Sequence, residues 1–162
     1  MVMKSDSPSS TSGLQIISPV FRDGAQIPEQ YTCRGQNVNP PLNFFNVPRN
    51  AQSLALIMHD PDAPVGDYTH WLVWDMPTDT ETIAANSVPV GAVQGANDSG
   101  EARYMGPCPP AATGTHRYMF ELYALNKTLG LASGSSRDEL TAAMQSHVLA
   151  EAKLTGVVAA PA

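Results

Sequence analysis

Charged side chains are scarce in this chain, with Asp, Glu, Lys and Arg making up only 15% of it against 43% hydrophobic residues. Basic residues are the scarcer sign, and the formal net charge of −6 gives no support to a nucleic-acid backbone as partner, so none is expected. Long hydrophobic runs are absent too: nowhere do roughly 18 apolar residues follow one another, so no helix of this sequence can span a membrane. There is no Gly-x-Ser-x-Gly elbow, Walker loop, dinucleotide fingerprint or His-Glu-x-x-His, which removes most common enzyme classes. Only two cysteines occur, Cys33 and Cys108, with neither CxxC spacing nor a zinc pattern. Two buried thiols in a reducing cytoplasm and a single disulfide both remain open.

What is present suits short strands and turns. The 162 residues can bury one real core, and 14 prolines with 12 glycines punctuate it frequently. Met1 to Gly13 is Ser-rich, carries Lys4 and lacks the apolar core of a secretory signal. It reads as a disordered tail ahead of a single domain over 14–162, and the expected location is the cytoplasm. Leu14 to Ser18 and Leu42 to Val47 are expected as short strands. Ser53 to His59 and His70 to Met76 are continuous apolar runs without helix caps, read as buried strands. In His116 to Leu125, Arg117, Met119, Glu121 and Tyr123 alternate with Tyr118, Phe120, Leu122 and Ala124, the clearest period-two pattern in the chain. The long Gly/Pro-rich segment 78–115 reads as a functional loop.

One helix is expected. Ser136 and Glu139 form a capping-box pattern, and Arg137 to Leu154 contains neither Gly nor Pro. Leu140, Ala143, Met144, His147, Val148 and Leu154 would share one face, with Gly156 ending the helix. The fold class is therefore mainly β, a sandwich with a C-terminal helix on its flank. A second apolar stripe on that helix would leave a homodimer open.

Three segments carry chemistry. His59-Asp60-Pro61-Asp62-Ala63-Pro64 ends a buried strand, and its prolines restrict the two carboxylates. A plain turn uses the same residues, as would an acid/base pair or a hard-metal site. His70 opens the next strand, and an antiparallel pairing would bring Asp60 to its imidazole, fixing the tautomer. Tyr104-Met105-Gly106-Pro107-Cys108-Pro109-Pro110 precedes Thr113-Gly114-Thr115-His116-Arg117-Tyr118. Gly106 would allow backbone to approach a ligand, and His116 and Tyr118 share a strand face, where imidazole and phenol suit an oxyanion.

Together DPDAP at 60–64, HWLVWDMP at 70–77, GANDSG at 95–100 and YMGPCPPAATGTHRYMFELYAL at 104–125 resemble the phosphatidylethanolamine-binding protein family, in its bacterial and archaeal Raf kinase inhibitor-like branch. YTCRGQNVNPPL at 31–42 is similar to that family's early segment. The resemblance spans about residues 14–156 and implies a β-sandwich with Greek-key connections. It also implies an anion pocket lined by Asp60, His70, His116 and Tyr118. Gly106, Cys108 and Pro110 would form the wall, Tyr68 the rim, and the 106–108 backbone would supply N–H groups. A cis peptide at Ala63–Pro64 is expected on the same ground. Two departures stand out: Gly-Pro-Cys replaces the Gly-x-Gly often found at the wall, and the tail GVVAAPA lacks the aromatic that would support a C-terminal gate.

The resemblance implies a non-enzymatic binding protein without cofactor or metal. Its ligand would be a small phosphate-like or phosphoethanolamine-like anion or a phospholipid head group, with a kinase or protease as protein target. Affinity would rise as pH falls through about 6–7, as an anion favours protonated histidine. The alternatives are a metal-dependent or acid/base hydrolase built on His59, Asp60, Asp62, His70 and His116, and a structural interaction protein with a vestigial pocket.

Overall fold

The computed structural model describes residues 13–162; the expected tail, up to residue 12, lies outside the described residues. Apolar runs and period-two alternation become nine elements: β1 (Gln15–Ile17), β2 (Leu42–Phe45), β3 (Ser53–Asp60), β4 (Tyr68–Met76), β5 (Thr82–Ile83), β6 (Val93–Gln94), β7 (Thr115–Leu125), α1 (Arg137–Met144) and β8 (Val148–Ala159). They form two antiparallel sheets, ordered β1-β2-β5 and β6-β4-β3-β7-β8. β3 is buried at every position because both faces of its sheet are covered. Leu54, Leu56, Met58, Trp71, Val73 and Phe120 share the main core with Ile16, Leu42, Phe44 and Ile83 of the small sheet and with Leu14 just before it. On the opposite face Ile57, Leu72, Trp74 and Leu125 pack beneath Leu140 and Met144 of α1.

The C-terminal region departs from expectation. The capping box forms, with Ser136 Oγ accepting from Glu139 N–H at 3.1 Å and Glu139 Oε1 accepting from Ser136 N–H at 2.8 Å. The helix stops at Met144, however, and Ser146 turns the chain at a φ of 71°. Residues 148–159 then form β8, paired with β7 from Val148 to Ala159. Ala150, Ala152, Leu154 and Val158 point inward, so burial along this stretch has the period of a strand. The second apolar stripe has no helix to run on. Gly156, expected as a helix stop, lies opposite Tyr118 mid-strand, where any Cβ would collide with Ile27 and Phe21.

No cis peptide occurs among the described residues, so the expected cis bond at Ala63–Pro64 is trans. The reversal is made instead by a turn from Gly66 N–H to the Ala63 carbonyl at 3.0 Å, with Gly66 at a φ of 108°.

Candidate functional site

At one end of the large sheet β3 finishes and β4 and β7 begin, so their side chains converge. A β-bulge decides what converges. Met58 pairs with Trp71 and His59 with Thr69, which leaves His70 as an extra residue of β4. The bulge re-aims its side chain: simple alternation would place His70 with Leu72 and Trp74 beneath α1, but it lines a cavity with Asp60 and Tyr118. The bulged backbone pairs with the wall segment, His70 carbonyl accepting from Met105 N–H at 3.1 Å.

All seven residues proposed from sequence, Asp60, His70, Gly106, Cys108, Pro110, His116 and Tyr118, line this one cavity of about 370 Å³. Sequence reasoning missed Val65, Met105 and Pro109 in its lining, along with Ala63 and Pro64, which it had treated as turn residues. Tyr68 stands at the rim as expected, its ring 5.2 Å from that of His70. A larger cavity of about 440 Å³ lies against residues 43–47 and 78–82, but Asp79 and Glu81 line it and no imidazole does.

The polar floor is tightly bonded. His116 Nδ1 donates to Asp60 Oδ2 at 2.6 Å, with both side chains buried. Asp60 Oδ1 accepts from Asp62 N–H at 2.7 Å, and the Tyr118 hydroxyl also hydrogen-bonds to Asp60. Burial and the Asp60 charge both push the Tyr118 phenol up, so it stays a neutral donor. Asp60 therefore holds His116; the expected contact with His70 is not made, because His70 Nδ1 is bonded to the Met105 carbonyl at 2.6 Å. Burial lowers the His70 pKa, outweighing the opposing pull of that carbonyl, Asp60 and Asp98. The other nitrogen of His116 lies 2.8 Å from Thr113 Oγ1, which also stands 2.6 Å from the Pro110 carbonyl, so its one proton serves either acceptor but not both at once. Thr113 stood within the quoted motif, but nothing in sequence showed that it would turn back onto His116.

The wall differs from expectation in one respect. Gly106 N–H donates to Asn37 Oδ1 at 2.8 Å and Pro107 has no N–H, so Cys108 supplies the one amide of the stretch not engaged within the described protein. Glycine is needed at 106 because a Cβ would overlap Asn37 Oδ1 and the Tyr31 carbonyl. The close approach is thus to the 31–37 loop rather than to a ligand. Cys33 and Cys108 form a disulfide across the same junction, Cα atoms 5.3 Å apart. Cys33 N–H to the Pro107 carbonyl (3.0 Å) and Tyr104 hydroxyl to the Tyr31 carbonyl (2.7 Å) reinforce it.

Asp62 holds the loop through Arg117: the backbone N–H, Nε and Nη2 all donate to its carboxylate at 2.9 Å. The Arg117 guanidinium brings the Asp62 carboxyl down to about 2. His59 faces away from the cavity, between Asp67 (2.7 Å) and Glu121 (3.0 Å). Among the described residues no group of three or more His, Cys, Asp or Glu is arranged to hold a metal ion.

Comparison with known proteins agrees with this architecture. The chain belongs to the phosphatidylethanolamine-binding protein family, whose sequence pattern matches residues 17–159. A UPF0098 protein of Methanothermobacter thermautotrophicus is 49% identical over 142 residues, covering 85% of this chain and 93% of that protein. The crystal structure of a PEBP homolog, CT736 of Chlamydia trachomatis, is similar at a TM-score of 0.86 and 38% identity, covering 91% of this chain and 98% of that one. That of E. coli YbcL, described as a new member of the mammalian PEBP family, gives 0.83 and 30%, covering 89% and 96%.

Proposed function

We propose that the protein is a non-enzymatic binding protein whose cavity at the β3–β4–β7 end takes a small phosphate-like or phosphoethanolamine-like anion. The observation that carries this reading is the complete hydrogen bonding of Asp60. Its oxygens are directed at His116, Tyr118 and the Asp62 amide, so the one carboxylate of the cavity is turned inward. Among the lining residues this leaves the His70 Nε2 and the Cys108 amide without a partner among the described residues, beside Pro64, Val65 and Pro110. Binding is favoured over hydrolysis because no free Ser, Thr, Lys or thiol nucleophile lines the cavity, the Cys108 sulfur being bonded to Cys33.

A kinase or protease target belongs to the same proposal on family membership alone. The Cys33–Cys108 bridge bears on location: such cross-links persist in oxidising compartments, which supports one of those over the cytoplasm expected from sequence. Thiol alkylation on cell lysis, followed by mass measurement, tests this; two alkylated cysteines would restore the cytoplasmic reading.

Calorimetry at pH 6 with inorganic phosphate and with phosphoethanolamine tests the pocket. Binding by the native protein, lost in His116→Ala as Asp60 is left unpaired, supports the reading. Absence of heat from both anions rejects it.

A further inference from the structure

Among the described residues, His70 is the fully buried ring of the cavity with a nitrogen that has no partner. The Met105 carbonyl can only accept, so the 2.6 Å contact places a proton on Nδ1. Nε2 then carries a lone pair whenever the ring is neutral, and no group among the described residues is bonded to it. The side chain is nevertheless buried, at 4% exposure, and lines the cavity. The other floor groups have neighbours at every polar atom: His116 has Asp60 at Nδ1 and the Thr113 hydroxyl at Nε2, Asp60 uses both oxygens, and Tyr118 donates to Asp60.

Resting on the anion-pocket reading, we infer that the cavity selects oxyanions carrying their own acidic proton, hydrogen phosphate and the monoanionic form of phosphomonoesters, with His70 Nε2 accepting that proton's hydrogen bond. Cys108 N–H donates to a second oxygen of the same group. An oxyanion without a hydroxyl, such as sulfate or a phosphodiester, sets an oxygen lone pair against the Nε2 lone pair. It binds only if His70 takes a proton from solvent.

The surroundings of His70 favour this arrangement. Tyr68 and Tyr118 set their rings 5.2 Å from it, Met105 closes its Nδ1 side, and Asp60, Asp98 and His59 are the titratable groups near enough to act on its charge. Burial outweighs the two carboxylates and lowers its pKa, so the neutral ring with an open Nε2 is the resting form at neutral pH. A consequence follows for lipids: an intact phospholipid head group is a diester and falls on the disfavoured side.

The test is calorimetry on the full chain at pH 7.5 and 5.5, in two buffers of different ionisation enthalpy. Its probes are inorganic phosphate, phosphoethanolamine, sulfate and dimethyl phosphate. At pH 7.5 inorganic phosphate should bind about 10- to 100-fold more tightly than sulfate and dimethyl phosphate, the effect of one unsatisfied buried contact, and at pH 5.5 phosphoethanolamine should join it. The weaker pair should take up about one proton per anion bound and tighten as pH falls, by up to about tenfold per pH unit. Inorganic phosphate, which keeps a proton at pH 7.5, should take up little; phosphoethanolamine, whose second phosphate pKa is about 6, should take up about one proton and tighten as pH falls. His70→Ala should bring all four within a few-fold of one another and abolish the uptake. Equal affinity for sulfate and phosphate at pH 7.5, without proton uptake by either, overturns this inference while leaving the pocket reading intact. No heat with any probe at either pH defeats both.

Discussion

His116 Nδ1 and Asp60 Oδ2 lie 2.6 Å apart, on strands that pair directly, and neither side chain reaches solvent. The bond joins the last residue of β3 to the second residue of β7 and so closes the floor of the cavity. Breaking a buried pair from one side leaves the remaining partner uncompensated. Asp60→Ala and His116→Ala should each destabilise by about 3–5 kcal/mol in denaturant unfolding. The double variant should lose clearly less than the sum, since the two share one interaction. Additive losses would show that the contact contributes nothing.

His59 and Glu121 give the fold a bounded pH range. Burial opposes charge on both. The hydrogen bonds from His59 and Tyr123 nonetheless bring Glu121 down from 4.5 to about 2. Glu121 and Asp67 in turn raise His59 above 6.5. The depressed carboxyl stabilises above about 4.5, a contribution lost as pH falls toward 2; the raised imidazole stabilises below about 6.5 and is lost as pH climbs through its folded value. Unfolding midpoints against pH should therefore decline on both sides, and His59→Gln should flatten the alkaline limb. An alkaline limb unchanged in that variant would contradict the assignment.

The disulfide and the pocket wall should respond unequally to reduction. The bridge spans a sequence separation of 75, and Cys33→Ser with Cys108→Ser should lower stability by about 2–4 kcal/mol. Phosphate affinity should change less than threefold, because the hydrogen bonds from Cys33 N–H, Gly106 N–H and Tyr104 survive. Loss of binding together with the bridge would show that the cross-link alone positions the wall.

Gly106→Ala should do the reverse. Its methyl group has no space against Asn37 and Tyr31, so the wall must move, at a cost of about 1–3 kcal/mol. Phosphate affinity should fall with the displaced Cys108 amide. Unaltered affinity and stability would mean that the wall tolerates the shift.

The sheet that carries the site was readable in sequence because β3 and β4 are covered on both faces and β7 on one, giving continuous or strictly alternating apolar patterns. The seven site residues could be named because their motifs survive intact in order and spacing. Geometry was harder to read. The His70 bulge is a two-strand property, visible only when Thr69 and Trp71 are counted against His59 and Met58. The partner of Asp60 depended on it, which is why His70 was expected where His116 stands. β8 was misread because Ala, Glu, Lys and Leu favour helix locally, while pairing with β7 along its length overrides that preference.

The account rests on an anion entering the β3–β4–β7 cavity rather than any other part of the surface. Amide and imidazole NMR spectra recorded during a phosphate titration at pH 6 test that most directly. The account predicts saturable shifts centred on the Cys108 amide and the His70 ring, with residues 43–47 and 78–82 unmoved. Saturation elsewhere, or no shift at His70 and Cys108 at high phosphate, would contradict it.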